Sequence, residues 1–154
     1  MEGNLDLRFD GMAQGPHAAS SSLTQEVLNR IADRYLKKVR PSNPDEFDSF
    51  LTYMEKVRKV LVVDVKTGSL ILKLECRTVN ILDDLWDDYR TGNLNKVAQS
   101  YLVTKDILKL FGLSSFKLTS NIEEEEYRAC RQRLIIDGRF EKIIIDHLQR
   151  FRLS

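Results

Sequence analysis

The strongest constraint on the fold is a segment in which apolar and polar residues alternate, as they do in a strand, on both sides of a glycine turn. Residues 60–77 carry this pattern, and Gly68 in the turn KTGS can take the left-handed backbone that a tight hairpin needs. Because successive strand residues point to opposite faces, the first strand is predicted to turn Leu61, Val63 and Val65 inward. The return strand is predicted to turn inward Leu70, Leu72, Leu74 and Cys76. The pattern therefore predicts an antiparallel hairpin with one apolar face.

The opposite face of this hairpin is mixed in character, and it is the candidate interaction surface. Ile71 is predicted to lie near its centre, with charged residues around it and the KTGS turn at its edge. An apolar centre with a charged rim is typical of a docking surface, although ordinary surface decoration gives the same pattern. The residues predicted to contact a partner are Val62, Asp64, Lys66, Thr67, Ile71, Lys73 and Glu75.

Two helices are predicted before the hairpin, from apolar residues spaced three and four positions apart. The first begins near Ser22 or Thr24 and ends before Pro41. Asn43 is predicted to cap the second, with Pro44 at its first position. The predicted buried face of this second helix consists of Phe47, Phe50, Leu51, Met54 and Val57. Both helices are expected to help to cover the apolar side of the sheet.

A third helix is predicted over residues 79–90, directly after the hairpin. Its buried side is predicted to contain Leu82, Leu85 and Trp86, because these residues share one face at helical spacing. Gly92 is placed to end the helix in a left-handed conformation, which glycine adopts without strain.

The rest of the chain is predicted to form short helices, one strand and two further helices. Asn93 and Thr104 are placed to cap two short helices, and SFKLTS alternates as a strand does. Ser120 and Glu123 have capping-box spacing before a long helix. Gly138 is predicted to break that helix, so that a separate amphipathic helix follows.

Residues 1–22 are predicted to form a flexible N-terminal arm. GMAQGPHAASSS is rich in small and polar residues, which cannot bury enough apolar surface to become ordered. Within this arm, NLDLRFD alternates Leu5, Leu7 and Phe9 with polar residues, a pattern that also fits a short strand. The interaction domain is assigned to residues 23–154.

Composition limits the classes of function. The formal net charge is +1, so no overall field favours nucleic acid or an acidic membrane surface as a partner. No apolar run is long enough to cross a bilayer, and the N-terminus lacks the apolar segment of a secretory signal. Two cysteines are few for a small secreted domain, which favours a reducing, cytoplasmic compartment. We therefore expect a protein partner, with no nucleic acid and no membrane insertion.

Neither the acidic residues nor the cysteines form a recognisable catalytic or metal-binding pattern. Four aspartates around Trp86 could act as acid and base or bind a divalent ion. Their helical spacing instead favours a solvated face for Asp83, Asp84, Asp87 and Asp88. Cys76 and Cys130 are expected to be buried, since free cysteines usually behave as small apolar residues. No catalytic residue, metal site or cofactor is assigned.

Three segments of the chain resemble the TRADD-N domain family of signalling adaptors. They are SLILKLECRT, LWDDYRTGNLNKVAQSYL and FKLTSNIEEEEYRACRQRL, which together cover about half of the chain. The resemblance implies an α+β fold, a two-layer α/β sandwich in which a small antiparallel sheet of three to four strands packs against a layer of helices. It also implies a non-enzymatic adaptor in death-receptor or innate-immune type signalling.

The resemblance further implies a partner and a docking surface. Domains of this family bind the C-terminal domain of a TRAF protein, using the first strand and the hairpin. The hairpin counterpart here is KTGSLI, which includes Ile71, whereas the aromatic pair of the first strand has only LDLRF as its counterpart. Two alternatives stay open on the residues: an enzyme or nucleotide-handling domain with a site assembled from scattered residues, and a purely structural or oligomerising domain.

Overall fold

The computed structural model describes residues 3–16, 21–36, 50–66 and 70–153, which form four strands and six helices. The strands are β1 (Asn4–Gln14), β2 (Leu61–Lys66), β3 (Ile71–Glu75) and β4 (Ser115–Asn121). The helices are α1 (Ser21–Ile31), α2 (Phe50–Thr52), α3 (Val79–Arg90), α4 (Asn93–Leu102), α5 (Lys105–Leu110) and α6 (Glu124–Leu153). A π-helical turn extends α1 over Ala32–Leu36 and α2 over Tyr53–Val57. The predictions that lie outside the described residues concern Pro41, Asn43, Pro44, Phe47, Thr67 and Gly68.

The described strands form one antiparallel sheet with the order β2-β3-β1-β4. The N-terminal half of the central strand β1 pairs with β3, from Asn4 opposite Glu75 to Arg8 opposite Ile71. Its C-terminal half pairs with β4, from Arg8 to Gln14. Helices pack on one face of this sheet, so the predicted α+β sandwich is confirmed.

Helix α6 lies beside the N-terminal half of β1, on the side where β4 does not reach. The backbone N–H of Asp6 donates a hydrogen bond to Oε1 of Glu126 at 2.7 Å. The guanidinium of Arg133 donates to the carbonyl oxygen of Asn4 at 3.3 Å. Strand backbone groups need partners, and α6 supplies them here with side chains instead of a further strand.

The predicted flexible arm over residues 1–22 is wrong for the segment that forms β1. Leu5, Leu7 and Phe9 are buried in β1, so the short strand that their alternation suggested is confirmed. Because this strand lies inside the sheet, the folded domain includes it and begins well before residue 23.

The core lies between the inner face of the sheet and the helices. The sheet contributes Leu5, Leu7, Phe9, Leu72, Leu74, Phe116 and Leu118. The helices contribute Val27, Leu28, Ile31, Phe50, Met54, Leu82, Leu85, Leu94, Ala98, Leu102 and Ile107. Burying one such leucine stabilises the fold by about 1.5–3 kcal/mol.

Gly11 belongs to the same face, and a Cβ at that position would overlap the ring of Phe116. Close packing therefore requires glycine in the middle of β1.

A β-bulge in β2 changes which of its residues face the core. The register with β3 shifts directly after Val62, so that an extra residue of β2 lies opposite β3. Val62 lies opposite the buried Leu74 and packs against the core, whereas Val63 is 41% exposed. Leu61 lies opposite Glu75, on the outer face. The predicted inward direction of Leu61 and Val63 is therefore wrong, because the bulge breaks the two-residue period.

Of the four predicted helix caps that lie within the described residues, two are confirmed. Gly92 has φ of +85° at the end of α3, and Thr104 accepts a hydrogen bond from the Ile107 N–H at 3.3 Å, both as predicted. Asn93 does not cap α4, because Gly92 holds the capping position. Ser120 does not cap α6 either, since it lies within β4. Turn geometry was thus easier to predict than the exact boundary of each helix.

Three predictions about the helices need correction. In α3, Leu82 and Leu85 are fully buried, but Trp86 is only partly buried. Val57, predicted inside, is exposed. Helix α6 continues through Gly138 without a break. A single glycine costs a helix only about 1 kcal/mol relative to alanine, which the good helix formers on both sides offset.

Two side chains of α4 contact the edge of β4 that faces away from β1. The Nε2 of Gln99 donates to the carbonyl oxygen of Phe116 at 2.8 Å, and its Oε1 accepts from the N–H of Leu118 at 2.7 Å. The Nδ2 of Asn95 donates to the carbonyl oxygen of Leu118 at 3.0 Å. These hydrogen bonds satisfy backbone groups that an unpaired edge strand would otherwise expose.

Candidate functional site

Ile71 lies in a row of side chains that crosses three strands on the outer face of the sheet. It is opposite Arg8 of β1 and opposite Lys66 of β2. Cross-strand neighbours have Cβ atoms about 4.5–5.5 Å apart, so an apolar side chain has a cation on each side. Arg8 and Lys66 are exposed, and Ile71 is partly buried. This row can receive an apolar group that carries a negative charge next to it.

The neighbouring row on the outer face alternates in sign. Lys73 lies between Asp6 of β1 and Asp64 of β2. Asp6 also forms an ion pair with Arg8, with a nitrogen–oxygen distance of 3.8 Å. Ion pairs at exposed sites contribute little to stability, about 0–1 kcal/mol. These charges are therefore better suited to selecting a partner than to holding the fold together.

A groove with a volume of about 700 Å³ opens next to Ile71, at the edge of the outer face beside β1 and α1. It lies where the pairing of β1 changes from β3 to β4 and where α1 approaches the sheet. Its polar lining consists of Arg8, Asp10, Thr24, Gln25, Thr119 and Asn121. Its apolar lining consists of Ile71 and the core residues Phe9 and Leu28. A concave surface with a few apolar groups and a polar rim is suited to binding a protruding segment.

The structure brings most of the predicted contact residues together. Five of them share the outer face by register: Asp64, Lys66, Ile71, Lys73 and Glu75. Val62 does not, because the bulge turns it toward the core, and its assignment to the docking surface is corrected. Thr67 lies outside the described residues. Only Ile71 of this set also lines the groove, so it joins the two features.

Sequence reasoning missed the part of the groove that other elements supply. Arg8 and Asp10 come from β1, and Thr119 and Asn121 from β4. The alternation in NLDLRFD carried a signal for Arg8, since a strand that buries Leu7 must turn its neighbours outward. The pairing of β1 with β4 joins segments more than 100 residues apart, which no local pattern reveals.

Asp83 joins α3 to α6, although its side chain stays 34% exposed. Its Oδ1 accepts hydrogen bonds from the Tyr127 hydroxyl at 2.7 Å and from Nε of Arg131 at 3.0 Å. Partial burial acts to raise the pKa of this carboxyl, but the hydrogen bonds from Arg131 and Tyr127 outweigh it and lower the pKa. Tyr127 also stacks on Trp86, with ring centroids 4.3 Å apart. The cluster links two helices.

Asp88 is buried and also engaged in structure. It accepts hydrogen bonds from the Tyr53 hydroxyl at 2.6 Å and from Nδ2 of Asn93 at 2.7 Å, and Arg58 lies 4.0 Å away. Burial, and then the hydrogen bond to Asp88, raises the pKa of Tyr53 to about 12. The predicted solvated face is therefore wrong for Asp88, which is buried, whereas Asp84 and Asp87 are exposed as predicted. Asp83 is partly exposed but also connects neighbouring elements.

Both cysteines are buried in the core, as predicted, and neither forms a disulfide. Burial raises the pKa of Cys76 to about 12 and also raises that of Cys130. Such thiols stay protonated at neutral pH, and the protonated form is a poor nucleophile. The described part of the chain contains no group of three or more His, Cys, Asp or Glu residues placed to hold a metal ion. None of the helices within these residues is both long and apolar enough to cross a membrane.

The proteins that are similar to this chain are named for death effector domains. The human death effector domain-containing protein is 31% identical over 68 residues, which are 44% of this chain and 21% of that protein. The mouse protein of the same name gives the same values. The human DNA-binding death effector domain-containing protein 2 is 26% identical over 69 residues, which are 45% of this chain and 21% of that protein.

The similarity is limited in extent. It spans about a fifth of the length of each of these relatives, so it identifies a shared segment and not a shared whole protein. No family model matches the chain. No solved structure gives a significant match.

Proposed function

We propose that this chain is a non-enzymatic protein-interaction module, a cytoplasmic adaptor in death-receptor or innate-immune type signalling. In this proposal a protein partner docks on the outer face of the sheet. The observation that carries it is the groove beside Ile71, flanked by two cations in cross-strand register. Among the side chains that could have served an enzyme, Asp83 and Asp88 accept hydrogen bonds from neighbouring elements, and both thiols are buried in the core.

Two similarities support the signalling context. The proteins that match part of this chain are named for death effector domains. The TRADD-N resemblance of the sequence points to the same kind of signalling and adds a hairpin as the docking element. Both similarities cover less than the whole chain, so the specific adaptor role is part of the proposal.

In this proposal the charges on either side of Ile71 select the chemistry of the partner. The row formed by Arg8, Ile71 and Lys66 fits an apolar side chain that has an acidic residue beside it. The alternating row around Lys73 would then select among partners, because charges at a rim affect rate and selectivity more than affinity. A TRAF-type signalling protein is the partner that the resemblance suggests.

DNA is the second candidate ligand, because one relative is named as DNA-binding. The outer face offers little support for this candidate. Its cations alternate with Asp6, Asp10 and Asp64, and the chain as a whole has a net charge of +1. Nucleic-acid sites instead gather positive charge on one surface.

The test is a calorimetric titration of the full chain with the purified C-terminal domain of a TRAF protein. Ile71→Asp is expected to weaken binding by about 2 kcal/mol or more, which is the range of a central interface residue. Leu110→Asp is the matched control, since Leu110 is an exposed apolar residue on α5, away from the outer face. It should bind like the parent chain.

Each contrary result has a defined meaning. Equal binding by the Ile71→Asp and parent chains would show that the partner docks elsewhere. Absence of binding by the parent chain would exclude the TRAF-type partner. A parallel titration with duplex DNA should give no binding at physiological salt, and tight binding there would favour the nucleic-acid candidate.

A further inference from the structure

Strand β1 extends beyond its neighbour β3. The pairing of the two strands ends with Arg8 opposite Ile71, and the N–H of Phe9 donates to the carbonyl oxygen of Leu70 at 3.0 Å. At this point the chain turns between β3 and β2, whereas β1 continues beside β4. Among the described strands, none pairs with residues 10–14 on the β3 side. The sheet therefore has a notch here, bordered by residues 10–14 and by the start of β3.

The backbone groups of Gly11 and Ala13 point into this notch. Alternate residues of a strand direct their N–H and C=O groups to the same side. Because Phe9 donates toward β3, the next odd-numbered residues face that side as well. The N–H of Gly11 donates to Oδ1 of its own neighbour Asp10 at 2.8 Å. A local carboxylate thus accepts the hydrogen bond that the carbonyl oxygen of a neighbouring strand accepts in a complete sheet.

Two other open edges of the sheet receive side chains from helices. Glu126 of α6 accepts from β1 near its N-terminus, and Gln99 of α4 bonds to β4. At the notch, the groove of about 700 Å³ lies beside the strand. Gly11 and Ala13 are partly exposed there. The notch is therefore an accessible strand edge, and such an edge is a template for pairing with another chain.

We propose that the partner enters this notch as an extended segment, which pairs with β1 at Gly11 and Ala13. This docking mode rests on the proposed function, because it describes how a protein partner occupies the same groove. Residues that lie opposite each other in paired strands share a face, so the segment residue opposite Gly11 turns inward. There it meets Phe9 and Leu28, which line the groove. The inward-facing residues of the segment are therefore apolar.

Charge selects the outward-facing residues of the segment. When a carbonyl oxygen of the segment accepts the Gly11 N–H, the carboxylate of Asp10 is released from it. A lysine or arginine of the segment opposite Asp10 then pairs with this carboxylate across the strands. The acidic residue that fits the row around Ile71 lies outside the segment, because β3 already occupies that part of the sheet. The segment is thus apolar on its inner face and basic on its outer face.

A synthetic peptide of this pattern, acetyl-Val-Lys-Val-Thr-Val-amide, tests the notch in the full chain. On titration, the amide NMR signals of Gly11 and Ala13 should shift, and both amides should exchange more slowly with solvent. Methylation of one alternate set of the peptide's backbone nitrogens should abolish binding, because that set faces β1, and methylation of the other set should not. Unchanged signals at Gly11 and Ala13 would overturn the proposal, and so would an equal loss of binding for both methylated peptides.

Ala13→Pro blocks the notch without a change at Ile71. The N–H of Ala13 points into the notch, so a proline there keeps the hydrogen bonds to β4. It should weaken peptide binding by about tenfold or more, the effect of leaving one backbone group without its partner. Ala13→Val keeps the N–H and is the matched control, which should bind like the parent chain. A folded Ala13→Pro chain that binds the peptide as the control does would contradict strand addition.

The docking mode and the proposed function can fail separately. If the TRAF domain binds through Ile71 but leaves the amides of Gly11 and Ala13 unchanged, the partner uses the outer face alone and docking in the notch is wrong. If the peptide binds in the notch and the TRAF domain does not bind at all, strand addition stands and the suggested partner is wrong.

Discussion

The two faces of the sheet have opposite roles. The inner face is apolar and closely packed, to the point that Gly11 must lack a side chain beside Phe116. The outer face carries alternating charges around Ile71 and opens into a groove. Neighbouring residues of one strand therefore differ in role. One packs in the core and stabilises the fold, and the next lies on the outer face, where it is available to a partner. Substitutions at adjacent positions can separate stability from binding.

The largest effect is expected at Leu72, the inner neighbour of Ile71. Leu72→Asp should unfold the protein, because a buried unpaired charge costs several kcal/mol out of a typical total of about 5–15. Ile71→Asp should keep its far-ultraviolet circular dichroism spectrum and most of its melting temperature. If the first variant stays folded while the second unfolds, the assignment of the two faces is inverted.

A second comparison tests the bulge in β2. Val62 packs against the core and Leu61 lies on the outer face, although simple alternation assigns them the other way round. Val62→Asp should lower the free energy of unfolding by about 3 kcal/mol, the cost of an unpaired charge at a packed site. Leu61→Asp should cost clearly less. Urea denaturation measures both, and an equal loss would argue against the register shift.

Gly11 and Met12 of β1 also compare an inner-face position with an outer-face position, here through steric overlap and not through charge. Gly11→Ala adds a methyl group that overlaps the ring of Phe116, so the packed core must shift. Overpacking of this kind costs about 1–3 kcal/mol. Met12→Ala, the next residue along, removes an exposed side chain from the outer face and should change stability by less than about 0.5 kcal/mol. Thermal unfolding that ranks the two variants in reverse would contradict the packing described here.

The smallest change in stability is expected for the ion pair between Asp83 and Arg131, which lies in the helix layer and not on the sheet. The pKa of Asp83 is lowered from 3.8 in the folded state, so its contribution is complete above that pH and is lost as the pH falls through the folded value. Asp83→Asn should therefore be slightly less stable than the parent chain at pH 7, with a difference that disappears in acid. A difference that is constant with pH would mean that Asp83 acts through packing and not through its charge.

The sequence predicted the regular parts of the sheet well. Alternation gave the inward residues of β3 correctly, and Val65 also faces the buried Leu72 as predicted. It failed in β2 because a bulge inserts one residue without a glycine or proline to mark it. It also failed at Gly138, where a residue that often ends helices lies within a continuous one. Local sequence patterns thus predict which residues of a regular element face the core, but they do not predict where a bulge interrupts a strand or whether a glycine ends a helix.

The candidate site was only partly predictable for a different reason. Ile71 was identified from the hairpin alone, because its neighbours in sequence define the face. The rest of the groove comes from β1, α1 and β4, and tertiary pairing brings them together. The carboxylates Asp83 and Asp88 were misjudged for the same reason, since their partners Tyr127 and Tyr53 are distant in sequence.

The hydrogen bonds between β4 and the side chains of Gln99 and Asn95 have a consequence for the protein at high concentration. Sheets associate edge to edge when a strand offers free backbone groups, and this is the first step toward fibrous aggregates. At β4 an incoming strand would have to displace three hydrogen bonds before it formed any of its own. At the other end, the bulge in β2 makes the edge irregular and so a poor template. Side chains of α4 therefore cap one edge of the sheet and the bulge distorts the other edge, and both features disfavour edge-to-edge association.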